Sequence, residues 1–185
     1  MGKGKALAVV AALVGVALIA ALAFALNDDE GADRGSGELT ADQVKDGKPT
    51  IASTQDLRSF ADSVGHPVFW AGELPNLKLE LTAADEKVWV RYLPAGIQAG
   101  DKGRKYLTVG TYPQPQPFAD LEKASKKPGT VSEIIPGGGR LLYYRKNAQS
   151  VYLAYPATDY LVELYSPSAP QALKLVQSGS VGQVR

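Results

Sequence analysis

The sequence predicts an α+β fold with one transmembrane helix in front of it. An unbroken apolar run occupies residues 6–26, and short segments from residue 51 onward alternate apolar and polar side chains. Parallel strands need long crossover connections, so the short connections between these segments indicate a mainly antiparallel sheet. We expect about eight strands and three helices, with one face of the sheet buried under helices and the other face wetter.

The apolar run is long enough to cross a membrane. Its 21 residues carry no charged or polar side chain, and Gly15 is the one member that is not apolar. A helix of this length spans about 31 Å, which matches the hydrocarbon thickness of a bilayer. Lys3 and Lys5 precede the run, and acids follow it from Asp28. The positive-inside bias then makes residues 1–5 a cytoplasmic stub and places residues 27–185 outside, in a single-pass protein of the cell membrane.

A cleaved signal peptide is the alternative interpretation of the same run. Small residues stand at cleavage spacing at Ala21 and Ala23, and again at Ala23 and Ala25. The apolar core of a signal peptide is about 7–15 residues long, however, and this run is longer. We therefore favour an uncleaved signal-anchor, and both interpretations place the rest of the chain outside the cytoplasm.

The charge distribution separates a linker from a domain. Residues 27–50 hold seven acids, three bases and few large apolar side chains, which predicts a disordered acidic linker. The predicted extracytoplasmic domain, residues 51–185, holds fifteen dispersed bases against twelve acids. Nucleic-acid binding requires a concentrated basic surface, so we expect no nucleic-acid partner. The chain has no cysteine, which excludes disulfides, thiolate catalysis and lipid attachment to cysteine.

Local signals place the elements in the first half of the domain. Ser53 and Asp56 fit a capping box that begins a helix, and Gly65 ends it. Strands are expected at residues 67–71, 77–81, 88–93 and 106–112, with a polar, glycine-rich loop at residues 98–105.

The second half repeats that order. Prolines at 113, 115 and 117 open a helix that ends at Pro128 and Gly129, and strands follow at residues 130–135, 140–145, 151–155 and 160–165. A last helix begins within residues 167–170 and ends near Gly179. Because Tyr92 and Pro113 have counterparts in Tyr155 and Pro167, we hypothesise two αββββ pseudo-repeats.

No motif in the sequence specifies a reaction, a cofactor or a metal. His66 is the single histidine, so a histidine metal cluster has no second such ligand, and we interpret His66 as a turn residue after a helix. The glycine-rich stretch PGGG, residues 136–139, precedes a strand rather than a helix, which favours a hairpin over a phosphate loop.

Paired carboxylates for glycoside hydrolysis are the remaining catalytic hypothesis. The candidates are Glu73, Glu80, Glu133 and Glu163. Strand alternation assigns Glu80 and Glu163 to solvated outward positions, so we predict no catalytic residue among them.

Aromatic side chains form the candidate ligand face. All nine tyrosines lie between residues 92 and 165, and Tyr143 and Tyr144 must point to opposite faces of one strand. An aromatic row on an open sheet face suits a peptide, a glycan or an apolar tail. The alternative is that tyrosines simply make good strand residues with wet hydroxyls. The candidate residues are Trp70, Trp89, Tyr143, Tyr144 and Tyr152.

Three stretches carry a resemblance: GHPVFWAG at residues 65–72, VRYLP at residues 90–94 and PGGG at residues 136–139. They resemble exported, single-anchor actinobacterial proteins of unassigned function, over residues 53–178. The resemblance implies location and architecture, and it implies no activity and no catalytic residue. We expect a non-catalytic binding or scaffold module of the cell envelope, anchored through residues 6–26, whose partner is a protein, a wall polymer or a lipid. The alternative is an envelope hydrolase.

Overall fold

Ten strands and three helices make up the described part of the chain. The computed structural model describes residues 39–44, 46–103 and 106–185. The strands are β1 Thr50–Ala52, β2 Phe69–Trp70, β3 Leu77–Ala84, β4 Lys87–Pro94, β5 Thr108–Pro113, β6 Thr130–Ile134, β7 Arg140–Tyr144, β8 Asn147–Ala154, β9 Tyr160–Tyr165 and β10 Gly182–Gln183. The helices are α1 Thr54–Val64, α2 Pro117–Ser125 and α3 Ala169–Gln177, and a 3₁₀ turn covers Pro136–Gly138.

Eight of the strands form one antiparallel sheet, which confirms the predicted α+β class. Their order is β1-β3-β4-β5-β9-β8-β7-β6, and every neighbouring pair is antiparallel. The remaining strands, β2 and β10, pair with each other in a separate ribbon. β5 and β9 therefore join two meanders, β3-β4-β5 and β6-β7-β8-β9, at the centre of the sheet.

The predicted αββββ repeat is wrong at its first strand. In the second half, the strand after the helix, β6, pairs within the main sheet. In the first half, the strand after the helix, β2, pairs with β10 outside that sheet, and β1 occupies the outer position instead. The two halves share three strands and a helix, β3-β4-β5-α2 and β7-β8-β9-α3. The hypothesis that an αββββ unit was duplicated is therefore wrong.

Helix α1 begins and ends where the sequence predicts. The Ser53 hydroxyl accepts a hydrogen bond from Asp56 N at 3.1 Å, and the Asp56 carboxylate accepts one from Ser53 N at 2.8 Å. This reciprocal capping box satisfies backbone donors that have no partner within the helix. Gly65 ends the helix with φ of 69°, a left-handed conformation that favours glycine. The helix buries Leu57 and Phe60 in the main core.

Both faces of the sheet are covered, which corrects the expectation of one wetter face. The first face carries the main core, which Val90, Val109 and Leu164 share with residues of α1, α3 and the β2–β10 ribbon. Helix α2 packs on β6 to β9 from the other side and buries Leu121 and Ala124. The wetter face was predicted from alternation, but alternation does not reveal that a helix between two meanders returns across the second face.

The fold includes residues that were predicted to be linker. Leu39 and Val44 are buried in the main core, and Gly47 N donates a hydrogen bond to Ala83 O at 2.9 Å. Part of the segment assigned to the disordered linker, residues 27–50, therefore packs as domain, and β1 itself starts at Thr50. Few apolar side chains mark this segment, but two of them are enough to hold it on the core.

The predicted cytoplasmic stub, the predicted transmembrane helix and residues 27–38 of the predicted linker lie outside the described residues. Among the residues that are described, no helix has both the length and the apolar character needed to cross a bilayer.

Candidate functional site

The five candidate aromatic residues do not share one face. Trp70 lies on β2 and Tyr143 on β7, and both pack against the main core on the first face. Register puts Trp89 and Tyr152 on the second face, where both are buried. Tyr144 follows Tyr143 on β7 and is half-buried outside the main core, as the prediction of opposite faces requires. Whether any of the five binds a ligand stays a prediction.

On the second face, the buried aromatic residues are arranged around a carboxyl group. Trp89 Nε1 donates to Tyr112 Oη at 3.1 Å, and Tyr112 Oη donates to Glu163 Oε2 at 3.3 Å. The rings of Trp89 and Tyr112 meet edge to face, with centroids 6.0 Å apart. Burial raises the pKa of the Glu163 carboxyl, and hydrogen bonds from Ser150 and Tyr112 partly offset that rise. Burial likewise raises the pKa of the Tyr112 hydroxyl.

A glycine on β5 makes room for this arrangement. Gly110 stands directly between Trp89 on β4 and Glu163 on β9 in the register. A Cβ atom on Gly110 would lie 2.6 Å from Tyr112 Cζ, which is too close for a real contact. The missing side chain therefore lets the Tyr112 ring lie along its own strand and reach both polar partners.

Glu80 is tied to an arginine on the neighbouring strand. Arg91 Nη1 lies 2.7 Å from Glu80 Oε1, and Gly100 N donates to Glu80 Oε2 at 2.6 Å. Burial raises the pKa of Glu80, and the Gly100 N–H and the Arg91 guanidinium oppose that rise. Arg91 Nη2 also donates to Asp101 O at 2.8 Å and its guanidinium lies 5.1 Å from the centre of the Tyr106 ring. The ion pair thus fastens the loop after β4 onto the second face.

Two tyrosines on the first face fasten the small ribbon to the main sheet. Tyr92 Oη accepts from Ala71 N at 2.7 Å and donates to Gly72 O at 3.0 Å. Tyr155 Oη donates to Val181 O at 3.2 Å, and its ring stacks on Phe69 with centroids 5.4 Å apart. The hydroxyls that were expected to be wet are therefore structural bridges in these positions.

The predicted turn residues lie where the sequence puts them. His66 follows Gly65, the C-cap of α1, and its Nδ1 lies 3.1 Å from Pro67 O. Its ring stacks on Tyr160, with centroids 5.3 Å apart. The PGGG stretch forms the 3₁₀ turn between β6 and β7, so it leads into a strand as predicted.

The candidate carboxylates are separated or exposed. Glu80 and Glu163 are both buried, so the outward solvated positions predicted for them are wrong. They stand three strands apart in the sheet order, which separates their backbones by about 14 Å at the usual strand spacing. Paired glycosidase carboxylates stand about 5–9.5 Å apart. Glu133 is exposed on β6 and accepts from Gln177 Nε2 at 3.1 Å, and Glu73 is exposed in the loop after β2.

Strand β6 is the longer of the two outer strands, and its outer side has no strand beside it in the described part of the chain. Ile135 N donates to Gly139 O, and Arg145 N donates to Gly129 O, so the odd-numbered residues bond to β7. The alternate residues, Thr130, Ser132 and Ile134, then turn their backbone groups outward. Thr130 N already donates to Lys127 O at 3.4 Å, so the outward N–H groups offered to a partner are those of Ser132 and Ile134. We call this row of outward groups the β6 edge.

Four cations flank the β6 edge at one end, and all of them except Lys127 are exposed. Lys126 and Lys127 lie in the turn before β6, and Arg145 and Lys146 lie in the turn after β7. The 2.9 Å hydrogen bond from Arg145 N to Gly129 O holds these two turns together.

One arginine stands at the other end of the edge. Arg140 pairs with Ile134, which is 61% exposed. The Arg140 guanidinium lies 5.1 Å from the centre of the Phe118 ring, and its buried Nε has no hydrogen-bond partner among the described residues. The edge therefore combines outward amides, one exposed apolar side chain and positive charge at both ends.

The sequence predicted the strand but not its position at the edge of the sheet. Residues 130–135 were expected to be extended, yet nothing local shows that β6 has a neighbour on one side only.

Comparisons of the chain with protein-family models, with curated proteins and with solved structures found no match.

Proposed function

We propose that the chain is a membrane-anchored protein whose domain lies outside the cytoplasm and binds a partner at the cell envelope without catalysing a reaction. Residues 6–26 are the anchor in this proposal. The described domain then hangs from the membrane by the residues before Leu39.

The β6 edge is the observation that carries this proposal. An outer strand with outward N–H and C=O groups is a template for a strand from another molecule. Ile134 adds exposed apolar surface at the same edge, since its side chain is 61% exposed. The other outer strand, β1, has three residues and follows Pro49 directly before Thr50, so it offers a shorter template.

The roles of the buried carboxyl groups support binding over hydrolysis. Glu80 holds a loop through Arg91, and Glu163 completes a buried hydrogen-bonded group with Tyr112. Both carboxyl groups are thereby engaged in the fold. A glycoside hydrolase of the paired-carboxylate type would need two of them facing one substrate.

Cross-linking in intact cells tests the proposal. A photoreactive amino acid replaces Ile134 in the full chain, and a matched variant carries it at Ile51, the isoleucine that is 42% exposed on β1. We expect a discrete adduct with an envelope component from position 134 and none from position 51. Equal adducts from both positions, no adduct from either, or adducts with cytoplasmic proteins alone would contradict the proposal.

A further inference from the structure

We infer that the β6 edge binds an extended acidic segment of a partner protein, which adds to the main sheet as a ninth strand. This inference rests on the proposed binding function and names the chemistry of its partner. It follows from the backbone groups, the side chains and the charges that meet along β6.

The backbone requires an extended occupant. Residues 131 and 133 bond to β7, so the outward groups are the C=O of Thr130 and the N–H and C=O groups of Ser132 and Ile134; Thr130 N itself donates to Lys127 O. They are spaced at every second residue, about 6.6–7 Å apart, which another strand matches and a helix or a glycan does not. Pro128 and Pro136 lie outside β6, so no proline interrupts the row.

The side chains along the edge leave space for the partner. Thr130, Ser132 and Ile134 share the second face, and Thr130 and Ser132 are small. Glu133 points to the first face, where Gln177 Nε2 donates to it. The one acid on β6 is therefore directed away from the side on which an incoming strand would meet Ile134.

The charges select an acidic segment. Four cations lie at the Thr130 end, namely Lys126, Lys127, Arg145 and Lys146, and Arg140 lies at the Ile134 end. Carboxylates on a bound strand would reach these groups at both ends. A second copy of the chain fits less well, because antiparallel pairing of two β6 edges would bring the cations of one copy to the Arg140 of the other. Like charges placed opposite each other are unfavourable.

The test measures the affinity of the full chain, in non-ionic detergent, for two peptides whose ends are acetylated and amidated. One alternates glutamate with valine, and its control alternates lysine with valine. We expect the glutamate peptide to bind at least about tenfold more tightly, and its affinity to fall as salt screens the cations. On binding, amide exchange should slow at Ser132 and Ile134, while Val131 and Glu133, which already bond to β7, should change little.

A backbone variant separates edge pairing from general attraction. Ser132→Pro removes one outward N–H without removing a backbone hydrogen bond to β7. Ser132→Ala loses the same side-chain contacts, with Leu141 O and Arg140, but keeps the N–H. We expect Ser132→Pro to weaken binding about tenfold or more and Ser132→Ala to leave it nearly unchanged.

A charge variant provides a second, independent arm. The double variant Lys126→Glu with Arg145→Glu reverses the charge of two residues beside the β6 edge. Its control, Lys78→Glu with Lys102→Glu, makes the same change in net charge at two exposed residues elsewhere. The first pair should weaken binding of the glutamate peptide, and the second should not. This arm remains decisive even where Ser132→Pro fails to fold.

Several results would overturn the inference. They are equal binding of both peptides, no binding, no change in exchange at Ser132 and Ile134, or equal effects of the two charge pairs. A dimer in sedimentation that Ser132→Pro dissociates would show instead that the edge joins two copies of this chain. Any of these results could occur while position 134 still cross-links an envelope component, so failure of the inference is distinguishable from failure of the proposed function.

Discussion

Glu163 shows how a single residue changes the character of a sheet face. Alternation predicts it to be solvated, yet it is buried and its partners are the hydroxyls of Tyr112 and Ser150. Burial disfavours the charged carboxylate by more than the two hydroxyl hydrogen bonds favour it, so the pKa of Glu163 is raised. The folded chain therefore binds a proton at Glu163 more tightly than the unfolded chain does.

We predict that Glu163→Gln removes part of the pH dependence of stability. Because the pKa of Glu163 is raised in the folded state, its contribution is complete below the unfolded value of 4.5 and is lost as the pH rises toward the folded pKa. Above that window the variant should be more stable than the natural chain. Urea unfolding from pH 4 to pH 8 measures this, with Glu133→Gln on exposed β6 as the matched control. Parallel curves for Glu163→Gln and the natural chain would refute the prediction.

We predict a large loss of stability for Arg91→Met. The substitution leaves Glu80 buried without its ion partner, which costs about 3–5 kcal/mol in comparable cases. The double variant Glu80→Gln with Arg91→Met should recover much of that loss, because no buried charge remains unpaired. Urea unfolding of both variants provides the measurement. A loss below about 1 kcal/mol for Arg91→Met alone would show that the pair is not held as described.

The elements divide into those that local sequence determines and those that it does not. The capping box at Ser53 and Asp56 and the left-handed Gly65 are local features, and α1 begins and ends at them. The positions of β1 and β2 depend on distant partners, β3 and β10, so the predicted repeat is wrong at that point. The candidate site follows the same rule, because β6 was predicted as a strand but its place at the edge depends on the order of the whole sheet.

The segment before β1 belongs to the folded unit, and a core substitution tests this. Val44 is fully buried, and burial of a valine side chain contributes about 1.5–3 kcal/mol. We expect Val44→Ala to lower the free energy of unfolding by about 2 kcal/mol. Ile51→Ala, on the exposed side of β1, is the control and should change it little. Equal, small effects of both substitutions would restore the linker interpretation for residues 39–50.

At the scale of the whole molecule, two meanders joined at β5 and β9 build a sheet whose outer strands differ in length and charge. The described chain enters the fold at the β1–β3 side, where Gly47 bonds to Ala83. The β6 edge lies at the opposite side of the sheet, seven strand spacings or about 33 Å away. The side of the sheet at which the described chain enters is therefore not the side that carries the β6 edge.

A pair of C-terminal reporters tests the location on which the proposed function depends. The full chain is fused after Arg185 either to an enzyme that is active only outside the cytoplasm or to a fluorescent protein that matures only inside it. With residues 6–26 as a positive-inside anchor, the external enzyme should be active and the fluorescent fusion dark. A fluorescent fusion together with an inactive enzyme would place the domain in the cytoplasm and contradict its role at the cell envelope.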